Sequence, residues 1–117
     1  MKLTPEQIAV LKENLRLRGS DIRISMAVEE MAELTKELMK HKRGKENIYD
    51  ITEEIADCFI VLEGLKPTLG IEDSKIQQVI DSKIERLDRR NTKYQENISL
   101  ENNCPKDYHP GAGRGNK

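Results

Sequence analysis

Two short acidic runs hold the side chains of this sequence that are best suited to chemistry. Each run has two carboxylates three residues apart, Glu30 and Glu33 in VEEMAEL (28–34) and Glu54 and Asp57 in TEEIADC (52–58). Residues three apart lie one turn apart on the same face of a helix, so each run would direct a pair of carboxylates toward one point. Two such helices side by side would form a cluster of four carboxylates.

The second run coincides with an apolar helix face. At roughly 100° per residue, the apolar side chains from Ile51 to Leu65 form a broad arc that holds Glu54 between Cys58 and Val61, with Asp57 beside Val61. A carboxylate against apolar surface is costly unless it is paired, hydrogen-bonded or bound to a metal. Since no Lys or Arg occurs on this helix before position 66, a metal ion is a candidate partner.

The composition predicts an all-α protein. The 117 residues are 36% hydrophobic and 35% charged but only 3% aromatic, a balance that favours amphipathic helices over strands. A net charge of −1 gives no reason to expect a nucleic-acid or membrane partner. Cys58 and Cys104 form no C-x-x-C pair, and neither a secretory signal nor an apolar run of membrane length is visible, so we expect a reducing cytoplasm.

Local signals predict four helices in a single domain over residues 1–94, followed by a disordered tail over 95–117. The first helix is predicted to begin with a capping box formed by Thr4 and Gln7, with Pro5 in its first turn. Asp50 followed by Glu53 is a second capping signal, at the start of the third helix. Pro67 predicts that the third helix ends near residue 65. The helices are expected over about 5–18, 21–41, 50–65 and 72–94. The second has an apolar stripe formed by Ile24, Val28, Met31, Thr35 and Leu38.

Each candidate site also has a plainer interpretation. Acidic pairs on helices are usually solvated faces, although two pairs, one of them on an apolar arc, favour function. Lys83 and Arg86 could bind phosphate, or could simply complement the dipole at the end of the fourth helix. His41 and His109 have no metal-ligand spacing to the acidic runs, and Cys58 fits a packing role.

The chemistry of the four carboxylates narrows the choice of metal. Oxygen ligands without His or Cys favour a hard cation, Mg²⁺ first and Mn²⁺ as a substitute. The Glu-x-x-His pairs of helical di-iron sites are absent from the sequence. Because Mg²⁺ held by carboxylates is usually completed by water and substrate phosphates, a phosphorylated substrate is the expected partner.

The double motif resembles a known family. EEMAE followed after 19 residues by EEIAD is similar to the EExxE…ExxD signature of the all-α nucleoside triphosphate pyrophosphohydrolases, the MazG-like group. The resemblance covers roughly residues 20–94, and Lys83-x-x-Arg86 is similar to the basic motif on the family's last helix. The first helix and the residues after 94 match no motif of the family.

The resemblance implies an enzyme that cleaves nucleoside triphosphates or deoxynucleoside triphosphates between the α- and β-phosphates, giving a monophosphate and pyrophosphate. It also implies a four- to five-helix bundle completed by assembly into a homodimer or homotetramer. Glu30, Glu33, Glu54 and Asp57 become the catalytic Mg²⁺ ligands, and Lys83 and Arg86 the candidates for phosphate contact. Glu29, Glu37 or Glu53 could orient the attacking water, or a ligand carboxylate could take its proton.

Two alternatives remain open from the sequence. Phosphoribosyl-ATP or a modified nucleotide could be the substrate of the same chemistry. A non-catalytic helical module that oligomerises or regulates a partner could instead keep the acidic cluster as a metal or structural site.

Overall fold

Four helices make up the regular structure of residues 1–102, the part of the chain that the computed structural model describes. They are α1 (Pro5–Arg18), α2 (Arg23–Lys42), α3 (Ile48–Leu69) and α4 (Asp73–Asn102), and no strand occurs in these residues. The predicted all-α class is therefore confirmed. Residues 1–76 form one compact unit, and residues 77–102 belong to a second.

The start of α1 follows its local sequence. The Thr4 hydroxyl accepts a hydrogen bond from the Gln7 backbone N–H at 3.1 Å, and the Gln7 side chain accepts one from the Thr4 N–H at 2.9 Å. Pro5 occupies the first helical position, where its missing N–H costs nothing. The predicted capping box is confirmed.

An antiparallel hairpin of α2 and α3 is the main packing unit of residues 1–76. The two helices run in opposite directions, because residues later in α2 contact residues earlier in α3. From one end of the hairpin to the other they join Arg23 to Thr68, Glu30 to Cys58, and Glu37 to Asn47. The hairpin thereby brings the two acidic runs together.

The ends of α3 correct two predictions from the sequence. The helix begins at Ile48 with Asn47 as its N-cap residue, so Asp50 lies inside the first turn and is not the cap. It also continues through Pro67 to Leu69. The backbone N–H of Ile71 bonds to the Lys66 carbonyl at 2.9 Å across Gly70, whose φ of 69° closes the helix in a Schellman motif.

Gly64 of α3 faces two leucines of α1. Gly64 is buried, and a Cβ atom placed there would lie 3.4 Å from the Leu15 side chain and 4.0 Å from that of Leu11. Leu11 and Leu15 are four residues apart and lie on one face of α1. A methyl group at position 64 would therefore meet α1 at van der Waals distance.

The apolar stripe predicted for α2 is largely exposed. Ile24, Val28, Met31 and Leu38 are 41–58% exposed, whereas Arg23, Ala27 and Glu37 of the same helix are buried. Among residues 1–102 the buried apolar residues are Ala27, Ile51 and Cys58. The core of the described chain is therefore small.

Helix α4 continues to Asn102, beyond the boundary expected at residue 94. Residues 95–102, expected to begin a disordered tail, are thus helical. Cys104, His109 and the rest of the predicted tail lie outside the described residues. No helix within residues 1–102 combines the length and the apolar character needed to cross a membrane.

Candidate metal centre

Three of the four predicted ligands converge at the α2–α3 contact. Glu30 of α2 and Glu54 and Asp57 of α3 each offer a carboxylate oxygen, and these three oxygens lie within 4.8 Å of one another. Glu30 and Glu54 are half-buried and Asp57 is exposed. The site therefore has a partly buried inner side and a side open to solvent.

Glu33 lies outside this group of three. It is exposed, and its Oε1 atom pairs with Lys36 Nζ at 3.3 Å. Its position one turn after Glu30 still places it on an adjacent part of the α2 surface. Its role as a fourth ligand stays a prediction.

Glu30 and Glu54 bind protons more tightly than ordinary glutamates. Burial raises the pKa of the Glu30 carboxyl, and the charges of Asp57, Glu29 and Glu33 raise it further. Burial likewise raises the pKa of Glu54, with additional contributions from Asp57 and Glu30. The cluster therefore holds negative charge at a cost that a bound cation would remove.

One oxygen of the cluster has no partner in the described protein. Glu54 Oε1 is buried and accepts no hydrogen bond. None of the ion pairs within residues 1–102 includes a carboxylate of the three. Carboxylate oxygens of this kind, without sulfur or imidazole ligands, fit a hard divalent cation such as Mg²⁺ or Mn²⁺.

Cys58 supports the cluster through the backbone and is unsuited to attack a substrate. Its thiol is buried and lies 3.3 Å from the Glu30 carbonyl oxygen, to which it donates. Burial and the nearby carboxylates of Glu30, Glu54 and Asp57 raise the pKa of the thiol. The protonated form is therefore favoured, and it is not the nucleophile.

Glu37, one of the candidates for orienting water, is already engaged. Its Oε1 accepts a hydrogen bond from Asn47 Nδ2 at 2.7 Å and its Oε2 pairs with Lys40 Nζ at 3.2 Å. Hydrogen bonds from Asn47 and Lys40 lower the pKa of this carboxyl. Glu37 is therefore a poor proton acceptor, while Glu29 and Glu53 are exposed.

Asn47 and Arg23 are buried polar residues at the α2–α3 contact that were not predicted from the sequence. Asn47 is only 3% exposed and Arg23 only 8%. A signal was present, because Asn47 precedes Glu54 by seven residues and Arg23 precedes Glu30 by seven. A spacing of seven returns a side chain to nearly the same helix face.

The two basic candidates lie on α4, in the second compact unit. Lys83 and Arg86 are exposed, and within the described chain neither takes part in an ion pair. Nearby Arg89 pairs with Glu85 at 3.9 Å. His41 is exposed in the last turn of α2.

Comparisons of the chain with protein-family models, curated proteins and solved structures give no match.

Proposed function

We propose that this protein is a Mg²⁺-dependent nucleoside triphosphate pyrophosphohydrolase, with Mn²⁺ as a substitute metal. The products would be a nucleoside monophosphate and pyrophosphate. The observation that carries the proposal is the convergence of Glu30, Glu54 and Asp57, together with the buried Glu54 oxygen that has no partner among the described residues. The resemblance of the two acidic motifs to the MazG-like enzymes supplies the reaction and the substrate class.

Glu30, Glu54 and Asp57 would hold the metal, and Glu33 is the proposed fourth ligand. A bound Mg²⁺ supplies a Lewis acid that polarises phosphate oxygens and lowers the pKa of a coordinated water. The exposed side of the cluster, at Asp57, is the side from which a charged substrate could approach. The buried side, at Glu54, keeps part of the cluster in a low-dielectric environment that strengthens electrostatic interactions.

Other residues would orient the substrate and receive the proton. Lys83 and Arg86 are the candidates for contact with the departing pyrophosphate, where negative charge develops. Glu29, Glu53 or one of the ligand carboxylates would accept the proton of the attacking water. Glu37 is the weakest of these candidates, since Asn47 and Lys40 occupy its two oxygens.

The proposed active form is a homodimer or homotetramer. Four large apolar residues of α2, 41–58% exposed, support this assembly. They follow one another at helical spacing and so form a continuous stripe, Ile24, Val28, Met31 and Leu38. Contiguous apolar surface of this kind is typical of contacts between protein chains.

A nucleotide panel tests the proposed reaction. The ribo- and deoxynucleoside triphosphates, phosphoribosyl-ATP and a set of modified nucleotides are each incubated with Mg²⁺, with Mn²⁺ or with excess chelator. The proposal predicts metal-dependent release of pyrophosphate together with a monophosphate from at least one triphosphate. Turnover of phosphoribosyl-ATP alone would identify phosphoribosyl-ATP as the substrate of the same reaction.

Binding of Mn²⁺, followed by electron paramagnetic resonance, distinguishes an inactive metalloprotein from a chain without a metal site. Metal binding without turnover of any nucleotide would favour the non-catalytic helical module. Absence of Mn²⁺ binding by the folded protein would remove the basis of the proposal. The variants Glu30→Gln and Asp57→Asn should keep their helical content and lose about 100-fold or more in turnover, because each removes a charged ligand.

A further inference from the structure

We infer that Asn47 and Glu37, together with Arg23 and Thr68, are positioning residues that fix the register between α2 and α3 at which the carboxylates of the cluster meet. The inference rests on the proposed metal site, and it assigns a role to four residues outside that site. It follows from the pattern of side chains along the contact between the two helices.

Polar residues recur every seven positions on the contacting faces. On α2 they are Arg23, Glu30 and Glu37, and on α3 they are Asn47, Glu54 and Thr68, with Val61 at the one apolar position of the series. The three buried apolar residues among positions 1–102, Ala27, Ile51 and Cys58, lie between them at spacings of three and four. This alternation is that of an antiparallel coiled coil, in which occasional polar core residues specify register.

The polar pair at the loop end of the hairpin is well matched. Asn47 Nδ2 donates to both the backbone carbonyl and the Oε1 of Glu37, at 2.9 and 2.7 Å. Asn47 therefore joins α3 to α2, and its side chain makes no capping bond to its own helix. At the opposite end, Arg23 Nη1 donates to Thr68 Oγ1 at 3.3 Å, and that hydroxyl donates to the Gly64 carbonyl at 3.0 Å.

The central pair is mismatched, because Glu30 and Glu54 carry the same charge and Glu54 Oε1 has no partner. Electrostatics between these two residues would push the helices toward another register. A shift of one turn, about 5.4 Å, would place Glu37 opposite Ile51 and leave its buried carboxylate without the Asn47 amide. Loss of that hydrogen bond opposes the shift, so the outer pairs hold the central carboxylates together before any metal binds.

Paired substitutions at positions 37 and 47 separate register from stability. The double variant Glu37→Leu/Asn47→Leu replaces both polar partners by apolar residues, a change that is often neutral or stabilising for folding. We expect its thermal unfolding midpoint in chelator to equal or exceed that of the wild type, while its affinity for Mn²⁺ falls by about 10-fold or more. The conservative variant Glu37→Gln keeps both acceptors of the Asn47 amide, the backbone carbonyl and the side-chain oxygen of residue 37, and should keep most of the affinity. Glu96→Leu removes one negative charge at an exposed position of α4 and should leave Mn²⁺ affinity unchanged.

A nuclear Overhauser contact between Cys58 and Glu30, recorded in chelator, reports the register without metal. It should persist in the wild type and in Glu37→Gln and should weaken in the double leucine variant. Retention of both the contact and full Mn²⁺ affinity in the double leucine variant would overturn the inference. If that variant fails to fold, Asn47→Ala decides, since an unchanged contact and full Mn²⁺ affinity in Asn47→Ala would likewise overturn it. A wild type that binds no Mn²⁺ would refute the proposed function, and the Overhauser contact would still test the register.

Discussion

Truncation of Asn47 to alanine tests how strongly this side chain joins the two helices of the hairpin. Asn47 is 3% exposed, and its amide nitrogen makes two short hydrogen bonds to Glu37. Its Oδ1 is also buried but has no partner. The substitution therefore removes two favourable contacts and one unfavourable burial, and the sign of the result depends on their relative sizes.

The hydrogen bonds should outweigh the unpartnered oxygen. A hydrogen bond to a carboxylate contributes about 1.5–3 kcal/mol and one to a neutral carbonyl about 1 kcal/mol, whereas burying an unpartnered acceptor costs about 1–3 kcal/mol. The variant also leaves the buried Glu37 carboxylate with Lys40 alone. We expect a net loss of about 1–2 kcal/mol in the free energy of unfolding, which lowers the midpoint of thermal unfolding by about 4–16 °C.

Thermal and urea unfolding, followed by circular dichroism in excess chelator, measure this loss without a contribution from metal. Asn91→Ala makes the same change at an exposed position of α4 and should alter the free energy of unfolding by no more than about 0.5 kcal/mol. An unchanged or raised stability of Asn47→Ala would refute the importance assigned to the Asn47–Glu37 pair.

Three further predictions concern the cluster, the backbone and the basic helix. The pKa values of Glu30 and Glu54 are raised in the folded protein. Their contribution to stability is therefore fully present below the ordinary pKa of 4.5 and is lost as pH rises through the pKa values of the folded state. In chelator, the thermal unfolding midpoint should fall as pH rises above 4.5, and it should fall less steeply for Glu54→Gln than for the wild type; equal slopes for the two proteins would contradict this prediction. Gly64→Ala should raise the free energy of unfolding by about 1 kcal/mol, because the space beside Gly64 accepts a methyl group. Gly70→Ala should lower the free energy of unfolding by about 1 kcal/mol, because the φ of Gly70 is 69°. Denaturant titrations in which Gly70→Ala is the more stable variant would refute these two predictions. Arg86→Ala should reduce kcat/KM by about 10-fold or more, because it removes a charged contact to phosphate. The side chain of Arg89 pairs with Glu85, so Arg89→Ala should have little effect on kcat/KM in the same steady-state assay.

The features that the sequence predicted correctly depend on neighbouring residues. Thr4 and Gln7 form their capping box within one turn, and α4 begins at Asp73, within the expected region. The end of α3 was predicted wrongly because Pro67 is only one of the influences there. The helix continues because the N–H of Ile71 closes it across Gly70, a backbone arrangement that the proline rule does not include.

The contact between helices was harder to predict than the carboxylates that it unites. The three-residue spacing of Glu54 and Asp57 identified one side of the cluster, and the matching run identified Glu30. The apolar stripe of α2, however, is largely exposed, and the buried residues of this helix are Arg23, Ala27 and Glu37. The small Ala27, 1% exposed, allows close approach on a face that also includes polar residues. The structural role of Asn47 was not predicted, because it depends on a hydrogen bond to Glu37, ten residues away on the other helix.

Binding of a metal by Glu30, Glu54 and Asp57 is proposed to drive cleavage of a nucleoside triphosphate. The reaction of the preferred triphosphate can be followed directly by ³¹P nuclear magnetic resonance, comparing the wild type with Glu54→Gln in Mg²⁺ and in chelator. We predict equal amounts of monophosphate and pyrophosphate from the wild type in Mg²⁺, and neither product in chelator or from the variant. Release of orthophosphate as the first product, or equal turnover by Glu54→Gln, would refute the proposed function.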